Sequence, residues 1–248
     1  MTLAGTTAPR EVRAAAQRPG GVRPLGPRER AALRRFTRIT GPNWATGRHL
    51  IPALQRFSSP SGVVLDIGCG QSPFREFFPA TLYAGFDLNR SGAADIIADI
   101  RAVPVRTGIA DVVLMFHVLG DVDEPTHALR ELRRILRPGG RALILESTCY
   151  PPHDLPYDFF RFMPNGLAAL AAREGLRVTA VTPLGGLFTR IASLVNNYLL
   201  GRFVVIRGIG GIARVGVAMV NIVSALGDRI ARAESLSESY LAELGHAS

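Results

Sequence analysis

Short aliphatic runs that end in an acid or a glycine punctuate the middle of the chain, with longer mixed stretches between them. Val63 to Ile67 is the first, apolar except for Asp66. Near-continuous apolar runs of this length mark parallel strands buried on both faces, whereas half-exposed strands alternate. Leu82 to Asp87, Asp95 to Ala98, Asp111 to His117, Ala142 to Glu146 and Leu176 to Val181 repeat the pattern. The intervening stretches predict helices. One precedes the first strand, around Arg48 to Phe57, and a short one over Pro73 to Phe78 follows it. Asp123 to Leu136 places Leu129, Leu132, Ile135 and Leu136 on one face, with Asp123 as its cap and Pro125 in its first turn. Pro164 to Glu174 is a further helix, closed by Gly175. Strands alternating with helices predict an α/β fold, a doubly wound, mostly parallel sheet.

Both ends depart from this rhythm. Residues 1–26 are Ala, Arg, Pro, Gly and Thr without an apolar period, which predicts a disordered basic tail. Pro27 to Ile39 predicts a basic helix, and Trp44 falls between it and the next one. At the other end, Leu187 to Leu200 and Val215 to Leu226 predict apolar helices, each shorter than the ~20 residues that cross a bilayer. Phe203 to Ile206 is expected as a last, antiparallel strand, and Ala231 to Leu244 as a polar terminal helix. The domain division is therefore a tail over 1–26, a ligand-binding domain over 27–184, and an apolar helical extension over 185–248.

The chemistry concentrates where the first strand ends, in Asp66-Ile67-Gly68-Cys69-Gly70. Glycines there let the chain turn tightly and let a ligand approach the main chain. Asp87 ends the second strand about 20 residues later, the separation at which a carboxylate meets ribose hydroxyls. With Gly85-Phe86-Asp87, this run resembles class I S-adenosylmethionine-dependent methyltransferases of the type 11 kind, over about Ser61 to Pro183. Arg137-Pro138-Gly139-Gly140 before the fifth strand fits the same resemblance. Two positions depart from the common pattern. Ser72 stands where a third glycine is usual, and Leu119-Gly120-Asp121-Val122 stands where Leu-Glu-His-Val is frequent. No catalytic role therefore carries onto Gly120 or Asp121.

The resemblance implies a Rossmann-like fold and S-adenosylmethionine as cofactor. It implies cofactor contacts from Asp66, Gly68, Cys69, Gly70, Asp87 and Leu88, with Asp66 shaping the turn and attracting the cationic amino-acid end. Asp99 and Ile100 match the positions that read the adenine amine, although Asp99 is equally placed as a turn residue. His117 matches a position lining the methionine end.

Composition narrows the partners. The net charge is +9, and no lysine is present, so all 29 basic side chains are arginine. Arginine favours planar anions such as phosphate and carboxylate, though a GC-rich genome produces the same bias. Two cysteines, Cys69 and Cys149, offer neither a disulfide framework nor metal-ligand spacing, so no metal is expected and a cytoplasmic setting fits. The N-terminus has no apolar signal-peptide core.

The expected function is methyl transfer to a small-molecule, saccharide or lipid-linked acceptor. A hydroxyl acceptor needs a general base, and His153, on the aromatic loop from Cys149 to Phe162, is the candidate. The alternative is a loop-bracing histidine beside Asp154. Two other classes stay open. One is a non-catalytic, membrane-surface or partner-binding protein on the same fold. The other is a nucleic-acid methyltransferase, which the arginine excess favours and the lack of an Asn-Pro-Pro-Tyr-like run or RNA-binding motif disfavours. Phe188, Ile191, Leu194 and Val195 recur at helical spacing within 187–226. That apolar face predicts contact with a second copy or with an anionic membrane surface, at the inner face of the membrane.

Overall fold

The structure, a computed structural model, describes residues 39–40, 43–55, 62–78, 82–89, 93–203, 210–231 and 239–247. The tail over 1–26 and nearly all of the helix expected over Pro27 to Ile39 lie outside the described residues.

Seven strands form one sheet in the order β3-β2-β1-β4-β5-β7-β6. They are β1 (Val63–Ile67), β2 (Leu82–Asp87), β3 (Ile96–Ile97), β4 (Ala110–Phe116), β5 (Leu136–Ser147), β6 (Leu176–Leu184) and β7 (Ser239–His246). The first five run parallel, and β7 lies antiparallel between β5 and β6. The helices are α1 (Trp44–Gln55), α2 (Pro125–Ile135), α3 (Pro164–Arg173), α4 (Leu187–Phe203) and α5 (Gly210–Ala231).

Each face of the sheet carries its own core, as a parallel sheet requires. On one side Leu65, Ile67, Met115 and Ile144 pack with Leu129, Leu132 and Ile135 of α2 and Leu167 of α3. On the other, Val64, Leu114, Leu143 and Leu145 pack with Leu50 and Leu54 of α1. Chain order reverses between β1 and β4, which places a crevice beyond their carboxyl ends.

Several expectations need correction. Of the polar terminal helix expected over Ala231 to Leu244, Ala231 ends α5, 232–238 lie outside the described residues, and Ser239 onward is β7, through which the sheet continues. Its alternate residues serve opposite faces, with Tyr240, Ala242 and Leu244 in one core and Leu241 in the other. Two-sided burial between paired strands overrides the helix preference of Ala, Glu and Leu. Residues 239–246, counted in the expected C-terminal extension, pair within the sheet of the preceding strands. Phe203 belongs to α4, and the rest of the strand expected there lies outside the described residues. Helix α1 begins at Trp44, so that residue opens a helix instead of linking two. Of the short helix expected over Pro73 to Phe78, Arg75–Phe77 forms a 3-10 turn. The cap of α2 is Glu124, without a side-chain bond, while Asp123 accepts from the Glu124 amide and from Arg101. Strand β5 starts at Leu136 and runs through Pro138-Gly139-Gly140, with a register shift against β4.

Candidate active site

The turn after β1 sits in the crevice. Gly68 and Gly70 have φ of +67° and +50°, a region L side chains rarely adopt. A Cβ on Gly68 would lie 2.2 Å from Val118 Cγ2, so the close approach of β1 and β4 needs glycine there. Ser72, in the third-glycine position, is fully buried and adopts φ +46°. Asp87 ties the turn to β2. Its Oδ2 accepts from the Gly70 amide at 2.9 Å, and its Oδ1 accepts from the Asn89 amide at 2.8 Å.

A cavity of about 530 Å³ opens beside this turn. Gly68, Asp87, Leu88, Asp99, Ile100 and His117 all line it, so six of the nine expected cofactor residues share one wall. Its acidic wall is the informative feature. Asp87, Asp99, Asp121, Asp123 and Asp154 face it against Arg101, although the chain as a whole is strongly basic. Asp99 caps the turn at Ile100–Ala102 and is forked by Arg101, whose guanidinium holds the carboxyl below its usual range.

Asp66, Cys69 and Gly70 are not part of that wall. Asp66 is turned into the sheet, where it accepts a hydrogen bond from the buried Tyr83 hydroxyl. Burial pushes its carboxyl up to about 7 despite that bond and the Arg75 charge nearby. The Asp66 side chain thus bonds across to β2 and does not line the cavity. The Cys69 thiol is pushed up to about 12 by burial first and by Asp66 second, which makes it a poor nucleophile. At Gly70 a Cβ would meet nothing within 4 Å.

A second cavity, of about 280 Å³, adjoins the first. His117, Asp121 and Asp154 line both. His117 follows β4 at φ +55°, and desolvation, then the His153 and Arg161 charges, lower its pKa. The far wall holds Glu146, Tyr150, His153 and Arg161. Glu146, the last residue but one of β5, is 4% exposed, and its Oε1 accepts from the Leu119 amide at 3.0 Å. Burial pushes its carboxyl up to about 7, and the backbone amides moderate that rise. Desolvation also raises Asp121.

The loop after β5 closes this second cavity. The Phe159 and Phe160 amides both donate to Gly120 O, at 3.0 and 2.9 Å. A Cβ on Gly120 would lie 2.7 Å from Phe160 O, which explains glycine where glutamate is frequent in the resembling sequences. His153 lies in the cavity, bound into the loop. Its amide donates to Asp158 Oδ2 at 3.0 Å, and its Nδ1 lies 3.2 Å from Arg161 Nη2. Arg161 grips both Asp158 oxygens and holds that carboxyl down to about 2. Asp121, His153 and Asp158 converge within 4.8 Å, the reach of a metal ion. The Arg161 guanidinium already takes Asp158 and would repel a dication, so this cluster carries no metal assignment.

Reading from sequence missed Glu146, Asp121 and Arg161. Glu146 did carry a signal, because it ends a central strand with an acid as Asp66 and Asp87 nearly do. The placement of Asp121 and Arg161 had none.

A doubly wound sheet with a glycine turn and an acidic cavity at its switch point defines an α/β protein that binds a nucleotide-type cofactor. Residues 43–180, more than half of the chain, match the family described as methyltransferase domain, and the chain belongs to that family, among the class I S-adenosylmethionine-dependent methyltransferases. A mouse tRNA (carboxymethyluridine(34)-5-O)-methyltransferase is 36% identical over 98 residues, which are 34% of this chain and 15% of that protein. A malonyl-acyl carrier protein O-methyltransferase from Hahella chejuensis is 26% identical over 129 residues, 46% of each chain. The chain thus spans less than half the length of these two curated relatives. A Haloferax volcanii methyltransferase solved with the Trm112 methyltransferase activator shares the fold, with TM-score 0.55 at 19% identity over 89% of this chain and 92% of that one. The cyclase SpnF shares it too, with TM-score 0.55 at 15% identity over 81% of each chain.

Proposed function

We propose that the protein transfers a methyl group from S-adenosylmethionine to a small polar molecule, a saccharide or the head of a lipid-linked compound. One observation carries the reading: an acidic cavity and a small polar one meet at His117, Asp121 and Asp154. The acidic wall suits a cofactor with two cationic centres. Asp87 holds the ribose through oxygen lone pairs that the two backbone amides leave over. Leu88 and Ile100 flank the base, and Gly68 allows close approach of the main chain.

When bound, S-adenosylmethionine supplies a methyl group already activated by its sulfonium. The chain's task is to align the acceptor and exclude water. The loop held on Gly120 covers the acceptor. Glu146 receives the acceptor's proton, because it is buried on the cavity wall and burial pushes its carboxyl up to about 7. His153 Nδ1 lies 3.2 Å from Arg161 Nη2 and 3.3 Å from Pro151 O, and its Nε2 is 4.0 Å from Asp121 Oδ1. His153 thereby positions Asp121 and the loop, while Glu146 takes the base role that the sequence pointed to at His153.

A second reading, a tRNA acceptor, is favoured by the likeness to the mouse tRNA methyltransferase and by the arginine excess. A cavity of about 280 Å³ fits a small group better than a polynucleotide, though a single flipped base is of that size. Labelled methyl transfer separates the readings. The enzyme is given methyl-tritiated S-adenosylmethionine with tRNA, malonyl-acyl carrier protein, or a panel of phenols and sugars. Label in the small-molecule arm supports the proposal, and label in tRNA alone overturns it. In calorimetry Asp87→Ala should weaken S-adenosylmethionine binding by about 1.5–3 kcal/mol in a folded variant. Unchanged affinity would remove Asp87 from the site.

A further inference from the structure

Helices α4 and α5 pack as a hairpin whose polarity is inverted. Thr189, Ser193, Asn196, Asn221 and Ser224 are all buried within it. Asn196 Nδ2 donates to Asn221 Oδ1 at 2.9 Å, and Thr189 Oγ1 donates to Asp228 Oδ2 at 2.6 Å. The outside is apolar. Ile212, Val215, Met219, Val223, Leu226 and Ile230 follow one another every three or four residues along α5, and each is more than half exposed. Ile191 and Tyr198 continue the surface on α4. In water the opposite arrangement is favoured, because exposed apolar area costs free energy and polar groups need no internal partner.

The length of α5 corrects an expectation. It runs 22 residues, and Gly211–Ile230 is long and apolar enough to cross a membrane. It does not stand free, however. Val217, Asn221 and Ser224 are buried against the rest of the protein, so one face is committed to protein and the other is open. That geometry belongs to a helix lying in an interface plane.

Charge selects the occupant. Residues 187–231 hold five arginines, Arg190, Arg202, Arg207, Arg214 and Arg229, and a single acid, Asp228. Asp228 is consumed inside, accepting from the Gly186, Phe188 and Thr189 amides. Arg214 and Arg229 are exposed, one near each end of the apolar row, roughly 22 Å apart along the helix axis. Two copies joined through this face would bring like charges together, and the single acid within 187–231 is already engaged. Anionic lipid head groups answer them, and arginine stems reach the head-group level from an apolar face.

We propose that the α4–α5 hairpin seats the protein on an anionic membrane surface, with the outer row of α5 in the head-group and upper acyl layer. The full-length protein is floated with phosphatidylcholine vesicles, with and without phosphatidylglycerol, beside light scattering on a sizing column. The comparison variant is Val215→Glu/Met219→Glu/Val223→Glu, whose positions face outward and spare the core. Its melting curve and its S-adenosylmethionine affinity establish that it is folded, so the test reads location and not turnover. The expected result is flotation with anionic vesicles, reduced at least about tenfold in the variant. Absence of flotation, flotation retained by the variant, or a wild-type dimer that the variant splits without any flotation would each overturn the proposal.

Discussion

Asp87 ends β2 and Glu146 is the last residue but one of β5, two carboxylates of the same sheet that both reach the crevice. Asp87 is half-buried, and its two oxygens accept from the Gly70 and Asn89 amides. Glu146 is buried deeper, and its ordinary value of 4.5 is pushed up to about 7, chiefly by desolvation. Its folded pKa lies above its unfolded one, so its contribution to stability is complete below 4.5 and is lost as pH rises through about 7. Glu146→Gln should therefore be more stable than wild type at pH 8, by on the order of 1–3 kcal/mol, with no advantage at pH 4. Urea melts at the two pH values measure this, and parallel curves would refute it. Asp66 is raised in the same window, so the variant should keep some of the decline. Methyl transfer should fall in the same variant, while cofactor affinity should hold.

At the level of elements, α4 begins on a cap that arrives from α5. Asp228 receives the Gly186, Phe188 and Thr189 amides and the Thr189 hydroxyl, so it satisfies the free donors of a helix start across the hairpin. Asp228→Ala should lower stability by about 1–3 kcal/mol, read as a shift of the urea midpoint at constant slope. A larger slope change would mean that the hairpin had come loose as a unit. This cap was not legible in sequence, because 39 or more positions separate donor and acceptor. Helix α2 was legible, since Ala128, Leu129, Leu132 and Ile135 keep a strict helical period and are buried as one row.

For the whole molecule the decisive element is β7. It pairs with β5 from Ala142↔Leu244 to Ser147↔Ser239 and with β6 along its full length, so it joins the sheet's far edge to its centre. Ending the chain before Ser239 should leave β5 and β6 without their shared partner and expose Leu143 and Leu145. Loss of near-ultraviolet circular dichroism and of the cooperative melt is the expected result, and a truncated protein that melts cooperatively would contradict it. The sequence alone determined the parallel half of this sheet, the glycine turn and Asp87, because each depends on neighbours close in the chain: an apolar run, a turn geometry, a strand end. Six of the nine cofactor positions it marked share one cavity wall for that reason. Tertiary structure decided the rest. A helix-favouring segment became a central strand because only there are both its faces buried. Asp66 turned inward because Tyr83, 17 residues on, faces it. The second cavity exists only where β4, β5 and the loop held on Gly120 converge, and no local pattern encodes a meeting of segments that far apart.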